Sequence, residues 1–237
     1  MISKIRAAGA TDVVQTGTTW LEADRYLREK VLANDPNGIY VPPFDHPHIW
    51  EGASTMVQEM EAQMGYARPD AVICSVGGGG LFCGLMQGID SVWNAEVDIL
   101  AVETKGADSM NASLKAGEMV TLPGITSMAT SLGATRIAPQ AFEYAQRPNV
   151  KSVVLADAEA AMGCWRFADD ERMLVEAACG VSLALCYDGR LKKLLPHLTA
   201  ESRVVVVVCG GSNVTLEMLV EFRRKYVWVC GGGGDGG

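Results

Sequence analysis

The chain lacks the cysteine patterns of zinc-binding proteins and of disulfide-bonded proteins. Seven cysteines occur among its 237 residues, but no two form a C-x-x-C pair and their number is odd. Neither a zinc cluster nor a closed set of disulfides is therefore indicated. Reduced thiols are the simplest interpretation, and we expect a cytoplasmic protein.

Basic clusters and long apolar runs are missing as well. The 20 lysines and arginines are outnumbered by 28 aspartates and glutamates, and the formal net charge is −8. This balance argues against a nucleic-acid partner. No run approaches the roughly 18 apolar residues of a membrane span, so no membrane partner is expected. Because 49% of the residues are hydrophobic, the chain can still form a sizeable core, and we expect a small ligand that is held locally.

The chain does have one feature that costs backbone entropy on folding, a run of four glycines at residues 77–80. Glycine loses more backbone entropy on folding than any other residue, so the run indicates a loop where side chains would be in the way. Residues 71–76 predict a buried strand before it, and residues 81–89 predict a helix after it. A strand, a glycine loop and a helix N-terminus together can bind a phosphate with free backbone N–H groups.

Two familiar phosphate motifs do not fit this loop. A P-loop ends in Gly-Lys-Ser/Thr, and the dinucleotide fingerprint has glycines at i, i+2 and i+5. No lysine follows the glycine run, and Phe82 and Cys83 stand where the last glycine would be. A plain flexible turn is the alternative, since glycine runs also mark loops. A phosphate site is favoured, and its ligand stays open on this pattern alone.

The remaining pattern predicts an α/β fold, an open parallel sheet with helices on both faces. We expect further strands at residues 12–16, 39–41, 98–103, 151–156 and 203–209. A second glycine turn, residues 210–213, follows the last of them. Ligands of open α/β sheets bind beyond the carboxyl ends of the strands, so both glycine turns are expected to share one site.

Three local signals concern helix starts and metals. Thr19 and Glu22 have the spacing of a capping box, and Asp157 is expected to cap a helix. His46 and His48 could belong to a metal site. Two histidines without a third ligand are more often loop residues, which is the interpretation we prefer.

Several motifs then carry a resemblance. The chain contains, in this order, VPPFD at 41–45, WEG at 50–52, SVGGGGL at 75–81, VET at 102–104 with GA at 106–107, ITS at 125–127 with LG at 132–133, VE at 175–176 with ACG at 178–180, and VCGGSN at 208–213. Together they resemble the catabolic L-serine/L-threonine dehydratases, which are pyridoxal-phosphate enzymes of the tryptophan-synthase-β fold type, or fold type II. The resemblance extends over residues 1–226.

The resemblance implies roles for individual residues. The cofactor phosphate would be held by the backbone of Gly77, Gly78, Gly79, Gly80 and Leu81. Cys209 would face the pyridine nitrogen, and because a thiol is a weak hydrogen-bond partner, the ring would be a milder electron sink. A thiol there favours the serine dehydratase branch over cysteine and threonine synthases. A monovalent cation, potassium, would be held by Glu103 and by carbonyls near Gly77, Ala107, Leu132 and Ala134.

Simpler roles stay open for two of these residues. Cys209 could be a buried apolar thiol, and Glu103 could be a carboxylate that caps a helix or a turn. These alternatives need neither a cofactor nor a cation.

One part of the family pattern is not found. The family's Schiff-base lysine lies in Ser-x-Lys-x-Arg-Gly, and a Ser/Gly-Asn segment after it binds the substrate carboxylate. Ser3-Lys4-Ile5-Arg6 imitates the first motif but lacks a residue between Ser and Lys and a glycine after Arg, so we do not assign Lys4 to this role. We expect an N-terminally truncated chain, with residues 1–41 a remnant of the smaller domain, 42–226 the larger, cofactor-binding domain and 227–237 a disordered tail.

Two functions stay open. For the full enzyme, the resemblance implies β-elimination from L-serine to pyruvate and ammonia, and from L-threonine to 2-oxobutanoate, by a cytoplasmic homodimer in amino-acid catabolism. This chain alone would then be inactive. The alternative is a non-catalytic protein that binds pyridoxal phosphate or another phosphate and pairs with an active homologue.

Overall fold

The computed structural model describes residues 2–93 and 97–231. These residues form two compact units, of which the first ends at Pro43 and the second begins at Phe44. The helical elements of the first unit are α1 (Ile2–Ala7), α2 (Trp20–Tyr26), a π-helical turn (Leu27–Val31) and a 3-10 turn (Leu32–Asn34). The assignment of residues 1–41 as a remnant of a smaller domain stays a prediction.

The first unit confirms one local prediction and corrects two others. Helix α2 begins at the expected capping box, because the Thr19 hydroxyl accepts from the Glu22 N–H and the Glu22 carboxylate accepts from the Thr19 N–H. The strands predicted at residues 12–16 and 39–41 do not form among residues 2–43. An extended segment needs a neighbouring strand for its backbone hydrogen bonds, and a local apolar pattern cannot supply one.

The second unit alternates strands and helices. Its elements are α3 (Pro47–Gln63), β1 (Ala71–Ser75), α4 (Gly80–Val92), β2 (Asp98–Thr104), α5 (Ser109–Ala116), a 3-10 turn (Thr130–Leu132), α6 (Pro139–Ala145), β3 (Val150–Leu155), α7 (Asp157–Glu171), α8 (Ala177–Leu183), a 3-10 turn (Ala184–Cys186), α9 (Arg190–Leu194), β4 (Val204–Val206), α10 (Leu216–Tyr226) and a 3-10 helix (Val227–Gly231).

The four strands form one parallel sheet in the order β3-β2-β1-β4. Strand β1 lies between β2 and β4, with Ser75 opposite Val102 and Ile73 opposite Val206. The predicted open parallel sheet is thus confirmed. The apolar run at 203–209 forms a ladder with β1 only over its three residues Val204–Val206, so β4 is shorter than expected.

The sheet is covered by helices on both faces, as predicted. Alternate residues of a strand point to opposite faces. Val72 and Cys74 pack with residues of α3, α4, α5 and α6, whereas Ala71 and Ile73 pack with residues of α7 and α8. All five residues of β1 are buried, which explains its continuously apolar sequence.

Two expectations outside the sheet need correction. Helix α7 already begins at Asp157, so Ala156 and not Asp157 is its N-cap. The Glu159 carboxylate accepts from the Ala156 N–H (2.6 Å). The tail was expected to be disordered from residue 227, but Val227–Gly231 continue α10 as a 3-10 helix. There the Trp228 indole N–H donates to the Lys225 carbonyl (3.0 Å). The rest of the predicted tail, residues 232–237, lies outside the described residues.

Candidate functional site

The glycine loop leads from β1 directly into an uncapped helix. Gly79, in the left-handed region at φ 94°, is the N-cap of α4 and provides no side-chain acceptor. The first hydrogen bond of the helix runs from the Cys83 N–H to the Gly79 carbonyl (2.8 Å). The N–H groups of Gly80, Leu81 and Phe82 have no acceptor within the helix. These donors and the helix dipole provide the means to bind an anion.

The absence of side chains in the loop has a packing cause. A Cβ atom at Gly78 would lie 2.3 Å from the Phe44 ring, and one at Gly79 would lie 2.4 Å from the Ala141 Cβ. A Cβ at Gly77 would lie 3.1 Å from the Leu132 Cα. Close approach of protein atoms is therefore enough to require these glycines. The uncapped N–H groups, more than the glycine run, are what favours a phosphate.

Cys209 lies just beyond β4, the strand next to β1. The two strands are parallel, and the Val207 N–H donates to the Ile73 carbonyl (2.9 Å). The second glycine turn and the glycine loop therefore follow neighbouring strands at the same edge of the sheet. Cys209 is exposed as a residue, which argues against the alternative of a buried apolar thiol. Partial burial of the sulfur, with Cys179 and Glu176 nearby, raises the pKa of the Cys209 thiol above its ordinary value.

Glu103 is fully buried at the end of β2. Its two carboxylate oxygens accept from the N–H groups of Met110 and Asn111, each at 2.8 Å, so it does cap α5. Burial nevertheless raises the pKa of Glu103 to about 8, against the lowering effect of these two bonds. No salt bridge to Glu103 occurs among the described residues. The Ser109 hydroxyl, also buried, has no hydrogen-bond partner in this part of the chain.

The other predicted cation-binding residues lie around the same strand ends. Gly77 packs against Leu132, the Ala134 N–H donates to the Leu132 carbonyl (2.8 Å), and the Ala107 N–H donates to the Thr104 carbonyl (2.9 Å). A buried carboxylate that pairs with no basic side chain among the described residues, and a buried hydroxyl without a hydrogen-bond partner there, fit a site for a small monovalent ion, which carbonyl oxygens would complete. Among the described residues, no cluster of three or more His, Cys, Asp and Glu side chains suits a metal ion of the multi-carboxylate or imidazole type.

The histidine pair and Lys4 have no established place in this site. His46 is the N-cap of α3, and its Nδ1 accepts from the His48 N–H (3.2 Å), which supports the structural interpretation of that pair. Lys4 lies on α1 of the first unit. That it does not hold the cofactor stays a prediction.

The sequence reasoning missed a hydrogen-bonded group under the loop at residues 126–132. Ser127 is buried and bonds to the Asp157 carboxylate (2.6 Å) and to the Thr104 hydroxyl (2.8 Å). Asp157 also accepts from the Met128 N–H (2.9 Å). The group joins the carboxyl ends of β2 and β3 to the loop that packs on Gly77. The only sequence signal was the position of Asp157 after a strand, which suggested a cap.

The sequence reasoning also missed the partners of the two glycine turns. Phe44 packs over the glycine loop, and Glu176 and Asn213 are hydrogen-bonded across 37 positions (3.1 Å). The segments that contain these residues belong to the family resemblance, but no periodicity or spacing indicated the contacts.

Free N–H groups at a helix N-terminus suit the phosphate of pyridoxal phosphate, and a thiol at the neighbouring strand end suits its pyridine nitrogen. The donor set present here fits that cofactor. The chain belongs to the family described as pyridoxal-phosphate dependent enzyme, which matches residues 1–210. The fold is that of fold type II.

Two proteins and one crystal structure show which members of the family this chain resembles. The chain is 45% identical to L-serine dehydratase of Saccharomyces cerevisiae over 233 residues, which is 93% of this chain and 69% of that protein. It is 43% identical to L-serine dehydratase/L-threonine deaminase of Bos taurus over 94% of this chain and 68% of that protein. The crystal structure of a fungal L-serine ammonia-lyase from Rhizomucor miehei matches with a TM-score of 0.87 and 39% identity, over 95% of this chain and 70% of that one.

None of the helices in the described part of the chain combines the length and the apolar composition needed to cross a bilayer.

Proposed function

We propose that this chain binds pyridoxal 5'-phosphate for β-elimination from L-serine, and also from L-threonine. The relatives named above support this assignment over a non-catalytic binding protein. The observation that carries it is the placement of the uncapped α4 N-terminus and of Cys209 at the ends of two neighbouring parallel strands.

Different residues would bind the phosphate and the ring of the cofactor. The N–H groups of the glycine loop and of the start of α4, from Gly77 to Leu81, would bind the phosphate. Cys209, whose thiol has a raised pKa, would stay neutral at pH 7 and face the pyridine nitrogen as a weak hydrogen-bond partner. When bound, the cofactor supplies the carbanion stabilisation that β-elimination needs.

Glu103 would bind a potassium ion together with the carbonyls near Gly77, Ala107, Leu132 and Ala134. The ion would sit beneath the glycine loop, since Gly77 packs against Leu132. In this arrangement the cation neutralises the buried carboxylate and fixes the loop that binds the phosphate. The expected homodimer and the cytoplasmic location are part of the same proposal and rest on the family resemblance.

The test supplies the lysine motif and measures the products. The chain is joined behind a segment of a family member that carries Ser-x-Lys-x-Arg-Gly, and 2-oxo acid release is followed with L-serine, L-threonine and L-alanine. We expect pyruvate from L-serine, 2-oxobutanoate from L-threonine and nothing from L-alanine, because L-alanine has no β-leaving group. The control replaces the lysine of the added segment by alanine, which should abolish release. Retention of the cofactor without product from either hydroxy amino acid would contradict the assignment.

A further inference from the structure

The turn that follows β4 is held from two sides by Glu176. The Glu176 N–H donates to the Gly210 carbonyl (3.1 Å), and the Glu176 Oε2 accepts from the Asn213 N–H (3.1 Å). A Cβ atom at Gly211 would lie 2.9 Å from the Glu176 nitrogen, so the turn passes too close to Glu176 for a side chain there. One residue at the start of α8 thus binds both ends of the turn at residues 210–213, which follows Cys209 directly.

The same turn is connected to the glycine loop. The Asn213 amide donates to the Ser131 hydroxyl (3.2 Å), and the Ser131 carbonyl lies 3.3 Å from the position of a Cβ at Gly77. A cavity of about 200 Å³ is lined in part by Ser131, Glu176 and Asn213. Hydrogen bonds therefore hold the turn in addition to the close contact at Gly211.

We propose that Glu176 is a positioning residue for Cys209, and that Asn213 and Ser131 connect it to the glycine loop. The two ends of the cofactor site, the phosphate donors and the thiol, are then kept at a fixed separation. This inference rests on the proposed function, since it takes Cys209 as the group that faces the pyridine ring.

Burial is the main cause of the raised pKa of the Cys209 thiol, and Cys179 and Glu176 add to it. The titratable groups that face Cys209 are Glu176 and Cys179 at α8 and Cys74 on β1. Both of these other thiols are buried, and burial raises the pKa of Cys74 to about 12, so that Cys74 is uncharged at neutral pH. A negative charge on Glu176 opposes a second one on Cys209 and so favours the thiol form, which can donate to the ring nitrogen.

The first test measures the pH dependence of Cys209 alkylation in the full chain without cofactor. Iodoacetamide reacts with the thiolate, and peptide mass mapping separates Cys209 from Cys186, which is also exposed and serves as an internal reference. Glu176→Gln keeps an acceptor for Asn213 and removes the charge. We expect the Cys209 midpoint to fall by about half a pH unit, since the charge of Glu176 is one cause of the raised pKa of this thiol.

The matched control is Glu118→Gln, which makes the same change in net charge at an exposed position and should leave the midpoint in place. A Cys209 midpoint that is equal in Glu176→Gln and in the unmodified chain would contradict the electrostatic effect of Glu176 on the thiol.

The second test addresses the geometry. Glu176→Ala removes the acceptor of the Asn213 N–H, so hydrogen exchange at residues 210–213 should become at least several-fold faster, whereas Glu176→Gln should retain protection. Unchanged exchange in Glu176→Ala would contradict the proposal. Neither test uses the cofactor. A chain that shows both effects but binds no pyridoxal phosphate contradicts the proposed function alone, and one that binds it without these effects contradicts this inference alone.

Discussion

Glu103 is a residue whose ionisation state depends strongly on its surroundings. Burial raises its pKa from the ordinary value of 4.5 to about 8, so the folded chain binds the proton more tightly than the unfolded chain does. Between these two pH values the unfolded state has lost the proton and the folded state has kept it. The contribution of Glu103 to the free energy of unfolding is therefore complete below pH 4.5 and is lost as the pH rises towards 8.

A potassium ion bound at the ionised Glu103 would offset this loss of stability at high pH. Above pH 8, potassium chloride should stabilise the chain more than choline chloride at the same ionic strength, by about 1–3 kcal/mol at ten to a hundred times the dissociation constant. Glu103→Gln should lose that difference, whereas Glu118→Gln should keep it. The measurement is denaturant unfolding in the two salts. Equal effects of both salts on the unmodified chain would speak against a cation site.

At the scale of elements, glycines allow the helices of the second unit to approach closely. In α4, a Cβ atom at Gly88 would lie 2.6 Å from the Val57 Cγ2 and 2.8 Å from the Ser54 carbonyl oxygen of α3. Because α4 begins at the proposed phosphate site, its contact with α3 also fixes where the N–H donors lie.

This packing predicts opposite effects for two glycine substitutions. Gly88→Ala should lower the free energy of unfolding by about 1–3 kcal/mol through overpacking. Gly52→Ala, on an exposed position of α3 where a Cβ meets nothing within 4 Å, should raise it by about 0.5–1 kcal/mol through helix propensity. Urea unfolding of both variants checks this. A stabilising Gly88→Ala would mean that the two helices are not in such close contact.

Strands and helices with strong apolar patterns were predictable from the sequence, and their partners were not. The patterns located both ends of β1, β2 and β3, and the start of α4, to within one residue. The segments at 12–16 and 39–41 had a similar local pattern but no neighbouring strand. The site was predictable at Gly77–Gly80 and Cys209 because backbone chemistry and family motifs identify them. The roles of Glu176 and Ser127 depend on contacts between distant positions, which no local pattern contains.

At the scale of the whole molecule, the net charge of −8 opposes the binding of an anionic cofactor. The phosphate must therefore be bound by local donors, and the free N–H groups at the α4 N-terminus are such donors. The matches to the three relatives each extend over more than nine-tenths of this chain. The central claim is that one ligand contacts both the glycine loop and Cys209.

The most direct test of this claim is protection of Cys209 by pyridoxine 5'-phosphate, which has the ring and the phosphate but no aldehyde to react with surface lysines. Alkylation of Cys209 is measured with Cys186 as the internal reference. We predict that the ligand slows alkylation of Cys209 alone, and that neither inorganic phosphate nor pyridoxine does so at the same concentration. If the ligand binds while Cys209 is alkylated at its unprotected rate, the phosphate site and the thiol do not hold the same molecule, and the account is contradicted.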